Sequence, residues 1–258
     1  MVKYYPSIQP DLRTWILAQP LYCVASAPNI GKHVNLSPKG LPSNSFAILT
    51  PNEAAYADAT GSGNETISHI RENGRVTVMF CSFEATPRIL RLFCRGKVVE
   101  WDERGFHPLL KRMDLEQKYL KGARAVIHLD VFKVQTSCGY GVPRLALTTD
   151  PLTNQPKPYL QDRDTMGHWA TKKIEKNELH AYQRDCNADS LDGLPGLRAA
   201  MRDRGKSGVA VAARIWIVQR RRGLELVSAV LMSVLATVVV LCWAGLVEGE
   251  KFAKLISI

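Results

Sequence analysis

The stretch Asp58 to Phe80, DATGSGNETISHIRENGRVTVMF, gathers residues that could hold an anion. It leaves a strand, passes through Thr60, Gly61, Ser62, Gly63 and Asn64, and enters a short helix over Glu65 to Arg71 before a new strand begins at Arg75. At such a helix start the unpaired backbone N–H groups and the positive end of the helix dipole favour an anion, and glycine lets the backbone approach it. A phosphate suits a site built from Thr60, Ser62, Gly63, Asn64 and Thr66. The same residues also read as an ordinary capped turn without a ligand, since Asn64 and Thr66 are common helix-start residues.

Other groups offer charge or nucleophilicity. Lys39, in Ser37-Pro38-Lys39-Gly40, is a point charge suited to a phosphate or, equally, a surface lysine in a proline-glycine turn. Arg88, Arg91, Arg95 and Lys97 recur along one predicted strand, a pattern that usually faces solvent. The six cysteines show no C-x-x-C pair and no zinc-type spacing with histidines, so no metal site is predicted and the thiols are expected free in a reducing compartment. Cys138 has no histidine placed by sequence to activate it and reads as a packed thiol, not a nucleophile. No catalytic residue can be named.

These residues need a sheet to position them. Asp11–Ala18 reads as a short amphipathic helix, Leu21–Ala27 and His33–Ser37 as a hairpin turning at Asn29–Lys32, its second strand closed by Ser37 to Gly40, and Phe46–Leu49 and Ala55–Ala59 as strands leading into the phosphate turn. Arg75–Phe80, Arg88–Glu100 and Ala125–Thr136 alternate as strands, with Ile89, Leu92, Val98 and Val99 as core candidates. Phe106–Met113 and Leu115–Tyr119 read as helical or loop excursions over the sheet, Leu145–Tyr159 as a loop, and Thr165–Asn187 as helix.

The 258 residues carry a formal charge of +10, which suits nucleic acid, an anionic membrane surface or an anionic cofactor. No nucleic-acid motif accompanies it, so no nucleic-acid partner is expected. Leu226 to Val247 contains no charge; its 22 residues would extend roughly 33 Å as a helix, enough for a hydrocarbon core about 30 Å thick. A buried core helix is the alternative. Arg220, Arg221 and Arg222 precede this stretch, which predicts a single-pass C-terminal anchor with the folded domain facing the cytosol. The expected organisation is a domain over 1–198, a basic linker over 199–222, a transmembrane helix over 223–247 and a short tail over 248–258.

The blocks VNLSPKG (34–40), FAILTPNEAAYADATGSGNETISHI (46–70), NGRVTVMF (73–80), RILRLFCRGKVV (88–99) and QTSCGYGVP (135–143) resemble, in order, the pyridoxamine phosphate oxidase-like flavoproteins. The resemblance implies a mainly β fold, an FMN-binding split β-barrel with peripheral helices, to which the transmembrane helix is added. It also implies FMN as cofactor, a small-molecule substrate and a homodimer with cofactors at its interface. Through it Lys39 is expected beside the flavin, and Arg91, mid-strand in RILRLFCRG, on the FMN phosphate. The glycines around Tyr140 are expected to pass close to a flat ligand. The C-terminal tryptophan-and-arginine segment of true pyridoxamine phosphate oxidases has no match here, so the resemblance does not extend to vitamin B6 oxidation. An FMN-dependent oxidoreductase at a membrane is the leading expectation; a non-catalytic flavin- or haem-binding sensor is the alternative.

Overall fold

The computed structural model describes residues 2–115 and 122–245. They fall into two compact units, one ending at His168 and one starting at Trp169. The first holds eight strands in one antiparallel sheet: β1 (Lys3–Tyr5), β2 (Leu21–Ser26), β3 (Asn35–Gly40), β4 (Phe46–Thr50), β5 (Glu53–Ala59), β6 (Arg75–Cys81), β7 (Ile89–Glu100) and β8 (Ala123–Ser137). Their order is β3-β2-β6-β7-β8-β5-β4, with β1 pairing β8. Although β2 and β4 lie near opposite ends of that path, the Tyr22 ring meets Phe46 at 5.4 Å and Tyr56 at 6.1 Å. The sheet is therefore curled into a split β-barrel around one core.

Alternation explains the curl. Tyr22 and Val24, Val76, Val78 and Phe80, Leu90 and Leu92, and Ile127 and Leu129 all point inward and are buried. Helix α1 (Pro10–Leu17), with proline in its first turn, buries Leu12 and Ile16 against this core, and helix α3 (Glu65–Asn73) buries Ile67 and Ile70. A one-turn helix α2 (Pro42–Ser45) joins β3 to β4. Helix α4 (Phe106–Met113) covers the other side of the sheet through Phe106, Leu109 and Met113. Of the predicted excursion Leu115–Tyr119, residues 116–119 lie outside the described residues.

Glu53, on β5, accepts a hydrogen bond from Arg112 at 2.7 Å and lies 2.6 Å from His128 Nε2. Arg112, and then His128, hold its carboxyl below the usual range. A depressed carboxyl stabilises the fold fully above its ordinary range and loses that contribution as pH falls through the lowered value. Glu53→Gln is therefore expected to cost about 1 kcal/mol or less near neutrality, Arg112 being half exposed, and nothing in strong acid. Denaturant titrations at several pH values check this; parallel stability curves for the two proteins would remove the role.

Three elements differ from the sequence reading. The predicted loop Leu145–Tyr159 is a hairpin of β9 (Arg144–Thr149) and β10 (Pro156–Gln161), a two-stranded ribbon where Pro156 and Pro158 are tolerated. The predicted helix Thr165–Asn187 is two helices, Thr165–Glu175 and Leu179–Cys186, separated at Asn177, whose φ of 53° is left-handed. The strand begun at His33 starts at Asn35 and continues through Gly40.

In the second unit, Ala188, Ala200, Met201 and Val211 form a small core. Asp189 there pairs with both Arg204 at 3.1 Å and Arg214 at 2.5 Å. Ser207 caps a helix running from Gly208 to Trp243 by accepting from the Ala210 N–H at 3.2 Å. Residues 208–222 of the predicted linker are thus helical. Its segment Gly223–Trp243 is long and apolar enough to cross a membrane, with a mean hydropathy of 2.5 and no part buried. Val247 and the predicted tail lie outside the described residues.

Candidate functional site

The turn before α3, the edge strand β3 and the start of β8 enclose a cavity of about 180 Å³. Its polar centre is Asp58, 4% exposed. Lys39 Nζ lies 3.2 Å from one carboxylate oxygen and Arg124 Nε 2.8 Å from the other. Arg124 also donates to the carbonyls of Gly61 at 3.2 Å and Gly63 at 2.5 Å. One guanidinium therefore fixes the turn and ties it to the buried carboxylate, a fork that lysine could not supply.

Local sequence explains the placement. Asp58 is an inward position of β5, next in alternation to the fully buried Tyr56. On β3 the polar residues Asn35, Ser37 and Lys39 take the inward side, while Leu36 faces solvent at 60% exposure. Asn35 donates to Thr66 Oγ1 at 2.9 Å and to Ser26 Oγ at 3.3 Å, and Ser26 Oγ lies 3.0 Å from His69 Nδ1. This chain of polar contacts binds β2 and β3 to α3. Because Thr66 Oγ1 accepts from Asn35, its own proton is free to donate toward the cavity.

Of the residues singled out in the sequence, Lys39, Gly63, Asn64 and Thr66 line the cavity. Thr60 instead donates through Oγ1 to the Gly122 carbonyl at 2.8 Å, which anchors the turn to the approach of β8. Ser62 is exposed and does not line it. Arg91 points to the outer face of the sheet, between the fully buried Leu90 and Leu92, and donates to Gln135 Oε1 at 3.3 Å. Within one chain Arg91 does not join Lys39. Gly139 has a packing explanation: a Cβ there would sit 2.8 Å from the Arg88 backbone nitrogen.

Sequence reasoning missed Arg124 and the central role of Asp58. The two are 66 residues apart and meet only because β5 pairs with β8, Asp58 opposite Ala125. An inward carboxylate in the strand EAAYADA was the one available signal.

The donor set suits a phosphate ester. Lys39, the first-turn N–H groups of α3 and the Thr66 hydroxyl converge there. The Tyr56 hydroxyl is buried without a hydrogen-bond partner among the described residues, and Lys39 Nζ lies 5.2 Å from its ring centroid, so polar capacity remains close to Lys39. Burial first, and then the charge of Asp58, push the Tyr56 hydroxyl pKa well up, which keeps it a proton donor. Glu65, in the first turn, opposes an anion, but its side chain is exposed and free to swing away.

Curled sheet and turn together define the class as a split β-barrel. The sequence profile described as Pyridoxamine 5'-phosphate oxidase matches residues 8–138. The pyridoxamine 5'-phosphate oxidase family protein ustO of Aspergillus flavus is 51% identical over 247 residues, covering 96% of this chain and 98% of that protein. The chain belongs to the pyridoxamine 5'-phosphate oxidase family. Similar solved structures include HupZ from Group A Streptococcus, 20% identical with a TM-score of 0.41, covering 50% of this chain and 99% of that one. An FMN-binding protein from Syntrophomonas wolfei is 12% identical with a TM-score of 0.37, covering 47% and 80%. HutZ, the haem storage protein from Vibrio cholerae, is 12% identical with a TM-score of 0.36, covering 48% and 90%.

Proposed function

We propose that this protein is an FMN-dependent oxidoreductase acting on a small molecule, working as a homodimer and held at a membrane by its C-terminal helix. The observation that carries the reading is the convergence of Lys39, the Arg124-clamped turn and the start of α3 on one phosphate-sized cavity in a chain of this family. Lys39, Asn64 and Thr66 would hold the phosphate, with Gly61 and Gly63 shaping its backbone cradle. When bound, FMN supplies the hydride and electron chemistry. The chain's own residues position the cofactor and set the charge around it.

A volume of about 180 Å³ accommodates the phosphate end of such a cofactor but is smaller than the roughly 300–1,000 Å³ of a complete small-molecule site. A second copy of the chain would supply the remaining wall. That arrangement also gives Arg91 a role, because an outward-facing residue can serve a flavin only across a subunit seam. The apolar segment Gly223–Trp243 supports membrane attachment, and the arginines before it support a cytosolic domain.

Absorption of the purified full-length protein tests the cofactor. Flavin bands are expected, with FMN released on denaturation. A Soret band would replace this reading with a haem-binding one, and a colourless protein that takes up neither would leave a structural adaptor. Carbonate extraction of cell membranes should leave the protein in the pellet, and protease added to intact organelles should remove the domain; release by carbonate, or a protected domain, would overturn the anchor or its orientation.

A further inference from the structure

A second cavity, of about 310 Å³, lies at the other end of β8. Arg124 of the turn site and Thr136 of this one are twelve residues apart on that strand (136 − 124), roughly 40 Å along it. Six of the polar side chains that line it are Lys3, Asp11, Thr86, Arg88, Thr136 and Ser137. Among the described residues none of the six pairs with another side chain through a hydrogen bond or salt bridge. The turn site contrasts with this, because there Asp58 already pairs with both cations.

The walls are fixed. Arg163, 8% exposed, donates to the carbonyls of Val142 at 2.6 Å, Ala85 at 2.9 Å, Ser82 at 3.4 Å and Glu84. It thereby ties the connection ahead of Thr86 to the one that follows Ser137. Gly139 packs directly on the Arg88 backbone. The Arg88 guanidinium lies 5.5 Å from the Trp15 ring centroid, which directs the group while leaving its N–H fork available.

We propose that this cavity binds a small organic molecule bearing a carboxylate or phosphate. Arg88 takes the oxyanion through its fork, Lys3 adds charge, and the hydroxyls of Thr86, Thr136 and Ser137 add donors. Asp11 faces the remainder of the ligand and favours one that carries a donor there. The volume is at the small end of the range for ligand sites.

Isothermal titration of the full-length protein in detergent, with succinate and separately with inorganic phosphate, tests the site. At least one probe is expected to bind; succinate alone would mark a carboxylic acid and phosphate alone a phosphate ester. Arg88→Gln should weaken that binding by about tenfold or more, the equivalent of one charge-assisted bond. Arg88→Lys, which keeps the charge and the packing on Trp15 but loses the fork, should fall between. Asn64→Ala, at the turn site, should remove the share of phosphate heat expected there and leave the share that depends on Arg88. No heat from either probe up to about 10 mM, or equal binding by wild type and both Arg88 variants, would overturn the proposal. Phosphate binding that vanishes in Asn64→Ala and persists in Arg88→Gln would assign the anion to the turn instead.

Discussion

Replacing Arg124 with alanine is expected to weaken FMN binding by about tenfold to a hundredfold. The guanidinium holds three acceptors at once: Asp58 and the Gly61 and Gly63 carbonyls. Without it the two carbonyls lose their common donor, and the turn is no longer fixed in the form that presents the N–H groups of α3. Arg124→Lys should rescue little, since one ammonium cannot span a carboxylate and two carbonyls in a planar fork. Fluorescence titration of flavin-free protein measures the effect. Wild-type affinity in both variants would show that the clamp is irrelevant to the cofactor, and full rescue by lysine would reduce Arg124 to a point charge.

Asp58→Asn is expected to act in opposite directions on stability and on the response to cofactor. The carboxylate is buried between Lys39 and Arg124, which are 22% and 26% exposed. Removing its charge leaves two part-buried cations without a counter-charge, a loss on the order of 3 kcal/mol and therefore of order 10 °C in Tm. A bound phosphate restores the missing negative charge, so saturating FMN should raise the variant's Tm by more than it raises the wild type's. Differential scanning calorimetry with and without FMN separates the effects. An unchanged Tm without ligand refutes the buried-pair argument, and an equal gain from FMN refutes the idea that phosphate meets the same cations.

Much of the sheet was legible because β2, β6, β7 and β8 alternate over six or more residues with one side fully buried. The excursion Phe106–Met113, legible only as helix or loop, is helix α4, in which Phe106, Leu109 and Met113 are buried at helical spacing. Alternation left the register of β7 open: Ile89 was assigned to the core, yet it is only half-buried, and the inward side belongs to Leu90, Leu92 and Cys94. In β3 polarity misleads, since the polar residues turn inward to serve the cavity and Leu36 is left in water. The prolines of β10 masked a ribbon that, among the described residues, has no third strand to need the N–H donors that Pro156 and Pro158 lack.

The candidate site was legible only where it is local. Gly63, Asn64 and Thr66 could be read because a helix start is written in consecutive residues. Lys39 was placed by family resemblance. Arg124 could not be read, because nothing within its own strand marks a partner 66 residues away.

Among the described residues the strand that carries Lys39 is also an edge of the sheet, paired on one side only, with β2. Open edges invite the addition of foreign strands, and the usual protections are lysine and proline. Pro38, opposite Cys23 on β2, has no N–H to offer, which removes one donor from the strand. Lys39 places a charge at the next position. Pro38 and Lys39 thus oppose edge-to-edge aggregation whether or not a cofactor is bound, so one short segment serves both solubility and the candidate site.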